Sequence, residues 1–344
     1  LLGVVAGTTG DVQTMRTVSI EAVAVAAEHG WERSAWSCAA TAMLAWAALL
    51  RTETAEAERL ATEGLAVGAA TSSPQLRFAL QDVRGAAAFD RGDRAGGLAE
   101  LQQARSDFGD LPAGAQQVAS HAMLEFGAAL LLGHSAAART VLGWLSNRTG
   151  DNAELLMMRA WTDAAGGRHG HARSLIRPVL EGAVTALLPQ TMVDAWLLET
   201  TLAFVGGERP AARRALQSAL AVAEPLDALR PFTHAGPGIR ELLVHQHGSF
   251  GASDAFAVGA LAAGATSGGR QALLSERELT VLGLLPSLLS LDEIADDLTV
   301  SVNTVKSHVR SIYTKLGVSS RRLAVLAAHE HGLLASSVRA PGMT

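Results

Sequence analysis

Glycine sets the frame of this chain. Gly92, Gly133, Gly167 and Gly207 are each followed, five residues on, by a small residue: Gly97, Ala138, Ala172 and Ala212. Four positions further stand Leu101, Leu142, Ile176 and Leu216, and in the last three copies an arginine follows the small residue directly, as Arg139, Arg173 and Arg213. The glycine-to-glycine steps are 41, 34 and 40 residues. Glycine ends a helix in the left-handed cap at no steric cost. The small residue lets the next helix cross closely, and the leucine one turn later lies on the same face. The stretches between carry a single apolar stripe, for example Leu155, Met158, Trp161 and Ala165. Pro74, Pro112, Pro189 and Pro210 fall where helices should begin, which suits proline's fixed φ. A weaker, earlier copy runs from Thr52 to Ala57. No segment has the period-2 alternation and β-branched richness of a sheet. The expectation is an all-α chain built from stacked helix pairs.

These steps resemble tetratricopeptide-like repeats, degenerate and without the full consensus; a plain α-helical bundle is the alternative. A stack of this kind offers an extended surface for proteins or small effectors. The repeats run to about Ala223. Pro225, Arg230-Pro231-Phe232 and Pro237-Gly238 follow, then a helix over Gly238 to Gln246 and an apolar segment over Ala252 to Leu261. Ala262 to Gly269 is small, uncharged and glycine-rich, the composition of a flexible linker. The expected organisation is a helical-repeat sensor or interaction region over 1–261, a linker over 262–271, a separate domain over 272–334 and a tail over 335–344.

Composition excludes several chemistries. Of 28 cationic residues only Lys306 and Lys315 are lysines, and neither follows a glycine. A P-loop, which needs Gly-Lys-Ser/Thr, is therefore absent, as is any Schiff-base or kinase-type lysine before residue 306. The stretch from Gly3 to Gly10 is glycine-rich but reads as a loop. Cys38 stands alone, so neither an internal disulfide nor a cysteine zinc site can form, and a reducing, cytoplasmic setting is expected. His169-x-His171, His245-x-His247 and His329-x-His331 place residues two apart, on different faces of a helix, and read as surface histidines rather than metal ligands. No nucleophile elbow is present. No metal, cofactor or enzymatic step is expected. The longest apolar run, Ala39 to Leu50, is too short to span a bilayer, and Leu1 to Val5 lacks the basic region of a secretion signal.

The last seventy residues or so carry the most specific pattern. Ser275-Glu276-Arg277-Glu278 and Ser290-Leu291-Asp292-Glu293 are both capping boxes. The first opens a helix with Leu279, Leu282 and Leu285, stopped at Pro286. The second opens a short helix in which Ile294 and Leu298 point one way and Ala295 permits a close crossing. Thr299-Val300-Ser301 is a three-residue turn, with Ser301 as cap of a third helix. There Val305, Val309, Ile312 and Leu316 form an apolar stripe, while Asn303, Lys306, Ser307, Arg310 and Thr314 lie opposite with no acid among them. Two helices joined by such a turn, the second with a basic polar face, describe a helix-turn-helix.

The runs Leu274-Ser-Glu-Arg-Glu-Leu-Thr-Val-Leu282, Glu293-Ile-Ala-Asp-Asp-Leu298, Thr304-Val-Lys-Ser-His-Val309 and Lys315-Leu-Gly-Val318 closely resemble the LuxR-type DNA-binding domain. With the repeats, the chain is similar to the large LuxR-type regulators of actinobacteria related to the maltose regulator. Those carry an ATPase module ahead of the repeats. None is present here, so the chain is either of a shorter class or lacks its leading part; its first residue is leucine. The resemblance implies a four-helix domain that binds double-stranded DNA, with 301–316 as recognition helix. Lys306, Ser307 and Arg310 then match positions facing base edges or nearby phosphates. Ser301, Asn303 and Thr304 lie at the helix N-terminus, which favours a phosphate. Lys315 and Arg321 are implied backbone contacts, and Leu323, Leu326 and Ala327 of the fourth helix an implied dimer contact. The sequence departs from the family at Leu288, where glycine is common, at Leu291 and Asp292, where polar or basic residues are common, and at Pro286. These departures remove potential phosphate contacts.

A net charge of −5 argues, at face value, against a nucleic-acid binder. The distribution answers that. Residues 301–344 hold Lys306, Arg310, Lys315, Arg321, Arg322 and Arg339 against Glu330 alone, whereas 271–300 hold Arg277 against six acids. The expected protein is a cytoplasmic, sequence-specific transcriptional regulator. It acts as a homodimer on DNA with RNA polymerase as a partner, and its repeats receive a small-molecule or protein effector. A sigma-factor region also uses such a helix-turn-helix, but the Lys315-Leu-Gly-Val318 run favours the LuxR type. The alternative is a helical-repeat interaction scaffold whose DNA binding is secondary or lost.

Overall fold

A computed structural model describes residues 3, 7, 9–67, 72–246, 248–266, 274, 276–287, 289–316, 318 and 320–330. Every regular element among the described residues is helical, so the chain is all-α. It divides into two compact units, the repeat stack and the C-terminal helices.

The stack begins with α1 (Val12–Glu28), α2 (Ala35–Leu50) and α3 (Thr54–Ala66). Four helical hairpins follow: α4–α5 (Pro74–Arg91, Arg94–Phe108), α6–α7 (Ala115–Leu131, Ser135–Thr149), α8–α9 (Ala153–Ala165, His169–Leu180) and α10–α11 (Thr191–Val205, Arg209–Ala223). The turn of each hairpin is the glycine that the sequence singles out. Gly92, Gly133, Gly167 and Gly207 have φ of +112°, +73°, +76° and +77°. Thr52, in the weaker copy, also adopts a left-handed φ of +64°, and Ala57 behind it is fully buried. The small residues Ala138, Ala172 and Ala212 are buried where the hairpin arms cross, as are Leu101, Ile176 and Leu216; Leu142 is half-buried. The tightest crossing is α4 on α5. A Cβ on Gly97 would stand 2.5 Å from the Gly85 carbonyl oxygen and 2.6 Å from the Phe89 amide nitrogen. Pro74 and Pro210 occupy first-turn positions of α4 and α11, while Pro112 and Pro189 lie in the loops just ahead of α6 and α10.

The core of the stack is mainly alanine and leucine with a few large side chains, such as Phe78 stacked on Phe108 at 4.3 Å between centroids. It also holds charges that periodicity does not announce. His121 on α6 is fully buried, with Nδ1 2.6 Å from Asp82 on α4 and Nε2 2.8 Å from Glu125. Arg105 on α5 donates to Glu125 at 2.7 Å. Burial opposes a charged imidazole there, but the flanking carboxylates outweigh it and hold His121 up at about 9. Glu154 on α8, also buried, accepts from the Leu187 and Leu188 amides and the Thr191 hydroxyl, which fixes the loop between α9 and α10.

After α11 the chain turns back onto the start of the stack. The Leu229 amide donates to the Leu50 carbonyl at 2.9 Å, Asp227 pairs with Arg51, and Arg230 and His234 reach Asp90 at 2.7 and 3.0 Å. Burial pushes Asp90 up, but the Arg230 and His234 partners hold it down at about 2. The repeat stack is thus closed on itself by the segment that carries α12 (Arg230–Thr233). Two more helices follow: α13 (Pro237–His245) packs onto α10, and α14 (Asp254–Thr266) onto α12 and α13, all joined in one apolar cluster with α11. Here the structure corrects the linker reading. Residues 262–266, taken as linker from their small side chains, continue α14; alanine is the strongest helix former and no proline interrupts the run. Residues 267–271 and the tail over 335–344 lie outside the described residues. No described helix is long and apolar enough to cross a membrane.

Candidate nucleic-acid interface

The second unit is built from α15 (Glu276–Leu284), α16 (Leu291–Asp297), α17 (Val302–Leu316) and α18 (Arg321–Glu330). Its core joins Val281, Leu282 and Leu285 of the first segment to Ile294 and Ala295 of α16, Val305, Val309 and Ile312 of α17, and Ala324 and Ala328 of α18. Leu279, expected on the inward stripe of α15, points outward, and Val281 takes the inward place.

The turn between α16 and α17 is fixed at both ends. At the start of α16 the Ser290 amide donates to Glu293 at 2.7 Å and the Glu293 amide to Ser290 Oγ at 3.2 Å, the reciprocal capping box. The hydrogen bond from the Ser290 amide holds the Glu293 carboxyl below its ordinary range. Leaving α16, the Val300 amide returns to the Ala295 carbonyl at 3.0 Å, and Thr299 takes φ +54°. A β-branched residue in that region carries about 1–2 kcal/mol of strain. Ser301 then caps α17 by accepting from the Thr304 amide at 3.1 Å, and its hydroxyl meets that of Thr304 at 2.8 Å. The amides of Val302 and Asn303 take no protein acceptor among the described residues. They form, with the helix dipole, the anion-attracting end of α17.

Along α17 the two faces separate as the spacing requires. Val305 and Ile312 are fully buried, and Val309 nearly so. Ser301, Asn303, Lys306, Ser307 and Arg310 are exposed, and Thr304 is half-buried. Asn303, Lys306, Ser307 and Arg310 recur at helical spacing and so share one side of the helix. The side chains of Lys315 and Ala327 lie outside the described residues, as does Ser275 of the first capping box. Leu323 and Leu326 stand exposed on α18, 45% and 50% accessible, an apolar pair three residues apart on one surface.

Two residues carry roles that the sequence reading missed. Arg321, expected to face a phosphate, instead donates from Nε to the Leu285 carbonyl, from Nη1 to Leu289 and from Nη2 to Ser287, all at 2.7–2.8 Å. It clamps the segment between α15 and α16, where Pro286 ends the helix and leaves carbonyls without amide partners. The proline was the available signal: a helix stopped that abruptly needs a donor from elsewhere. Glu278, expected only as a capping partner, is buried and accepts from the Ser311 hydroxyl on α17, which ties α15 to the buried side of that helix.

A short helix, a tight turn and a second helix with a buried stripe and a basic outer face, supported by two further helices, define a helix-turn-helix domain. Residues 272–328 match the family model described as bacterial regulatory proteins, luxR family, and this C-terminal domain belongs to that family. Relatives of the domain include the HTH-type transcriptional regulator MalT of Serratia proteamaculans, 46% identical over 61 residues, and that of Yersinia pestis, 48% identical over 56 residues. Those matches cover 18% and 16% of this chain, but only 7% and 6% of the relatives. The likeness is one of the DNA-binding-type domain, and the chain spans a small part of their length.

Proposed function

We propose that this chain is a cytoplasmic, sequence-specific DNA-binding transcriptional regulator, with α17 as the helix that enters the major groove. The observation that carries the reading is the exposed row of Asn303, Lys306, Ser307 and Arg310 opposite the buried valine-isoleucine stripe, in a domain of the luxR family. Lys306 and Arg310 are the residues for base edges, where an arginine makes a bidentate contact to guanine. The Val302 and Asn303 amides, framed by Ser301 and Thr304, suit a phosphate, with Lys315 as a further backbone contact. Leu323 and Leu326 form the contact between two copies on a two-fold site. The repeat stack receives a signal, and RNA polymerase is the partner that reads the outcome. The reading includes no catalytic step and no cofactor.

The test uses the full chain. Duplexes are selected from a random library, and the enriched site is titrated with wild type, Lys306→Ala and Arg310→Ala. Each variant should lose about 5- to 150-fold in affinity, the range for one base contact, and Arg310→Ala should relax preference at one base pair. Failure to enrich any sequence, or equal binding by all three proteins, overturns the proposal.

A further inference from the structure

The repeat register exposes a mismatch of charge in the stack. Arg139 and Arg173 stand six residues after their capping glycines, Gly133 and Gly167. Arg159 and Glu199 stand eight residues before theirs, Gly167 and Gly207. Between the last two hairpins Arg173 donates to Glu199 at 3.2 Å and to Glu208 at 3.0 Å, closing the seam. One repeat earlier the register puts Arg159, a second cation, at the position that Glu199 holds, and Arg139 and Arg159 line one cavity. Among the described residues neither guanidinium has a hydrogen-bond or ion-pair partner.

The seam is correspondingly open. A cavity of about 320 Å³ lies between α6–α7 and α8–α9, walled by Phe126, Leu130, Leu142 and Leu175, with Arg139 and Arg159 at its edge. Asp163 also lines it, but both its carboxylate oxygens are engaged, one by Arg168 and the other by His171. It therefore does not neutralise the two free arginines. Two unpaired cations beside an apolar wall describe a receptor for an anion with a hydrophobic body.

We propose that this groove binds a small amphipathic anion, its carboxylate or phosphate held between Arg139 and Arg159 and its apolar part against Phe126 and the three leucines. The anion supplies the charge that Glu199 supplies in the next seam, so binding draws the two hairpins together. The regulatory meaning of the site rests on the sensor role proposed above; the binding itself does not, and is measured without DNA.

The probes are 1-anilinonaphthalene-8-sulfonate and its uncharged counterpart N-phenyl-1-naphthylamine, titrated into the full chain by fluorescence. The sulfonate should bind saturably at one site and about tenfold or more tighter than the neutral probe. Arg139→Ala and Arg159→Ala should each weaken only the anionic probe. Arg159→Glu recreates the Arg173–Glu199 pairing and should abolish sulfonate binding with an unchanged circular dichroism spectrum. Displacement by decanoate or by phenyl phosphate tells a carboxylate ligand from a phosphate one. Absence of saturable binding, equal affinity for the two probes, or full sulfonate binding by Arg159→Glu overturns the proposal. Loss of DNA binding with this pattern intact would sink the regulator reading alone.

Discussion

Arg321 is the residue whose removal separates two incompatible roles. As a clamp it makes three charge-assisted hydrogen bonds, to the carbonyls of Leu285, Ser287 and Leu289. A hydrogen bond with one charged partner contributes about 1.5–3 kcal/mol when well shielded. The guanidinium is only half-buried and water reaches part of the freed backbone, so the set is worth roughly 3 kcal/mol rather than three times the upper value. A domain of this size has roughly 3–8 kcal/mol in total. Arg321→Ala should therefore lower the unfolding midpoint of the second unit by about 10–20 °C. Arg321→Lys, which keeps the charge but loses the fork, should fall between. The chain itself supplies the reporters. Tyr313 is the only tyrosine and packs on the core of the second unit, whereas all six tryptophans lie between residues 31 and 196. Ring resonances of labelled tyrosine then follow the second unit on heating, and tryptophan fluorescence follows the repeats. The expected result is an early tyrosine transition with an unchanged tryptophan transition. An unchanged tyrosine midpoint, accompanied by weaker duplex binding, would refute the clamp and return Arg321 to the phosphate backbone.

Two further predictions concern the stack. Gly97→Ala places a Cβ against backbone atoms of α4 that cannot rotate away, and should destabilise the repeats by about 2 kcal/mol. Gly143→Ala, in open space on α7, should stabilise them by about 0.5–1 kcal/mol; urea midpoints for the pair check both. His121 sets a pH window. Its pKa is raised from 6.5 to about 9 in the folded chain, so its contribution is full below pH 6.5 and is lost as pH rises through 9. Tryptophan-detected urea stability should fall by roughly 3 kcal/mol across that window, and a His121→Gln variant with a flat profile there is the expected control. A wild-type profile that is itself flat from pH 6.5 to 9.5 would show the imidazole neutral.

What could be read from the chain, and what could not, follows the range of the interactions. The hairpin turns were legible because a left-handed φ has a one-residue signature, and Gly92, Gly133, Gly167 and Gly207 all adopt it. The stripe of α17 and the Ser290–Glu293 box were legible because both are settled within one or two turns. The closure of the stack was not. It depends on Leu229 meeting Leu50 and Arg230 meeting Asp90, contacts far apart in sequence between residues with no periodic relation. The same holds for Arg321, whose partners are carbonyls and leave no mark on side-chain pattern. Residues 262–266 misled for a different reason: small residues signal both a flexible linker and a close-packed helix, and packing of α14 against α12 and α13 decides between them.

Charge placement bounds how such a domain can hold DNA. With Arg321 committed to the clamp, the cations on α17 and at the start of α18 are Lys306, Arg310, Lys315 and Arg322. Each phosphate neutralised lowers the slope of log K against log salt by about 0.9. Four per copy therefore cap the slope at about −4 for one copy and −7 for two. Asp292, Asp296 and Asp297 are exposed on the neighbouring α16 and repel the same phosphates, so the observed slope should be shallower still. In the proposed complex, affinity would come from groove contacts and the pairing of two copies, and non-specific duplex binding should be weak. Titrations of the selected site between 50 and 300 mM salt measure the slope. A value steeper than about −7 for the two-copy complex would mean that cations beyond this set, Arg277, Arg339 or arginines of the repeat stack, also reach the duplex, and the division of labour along the chain would have to be redrawn.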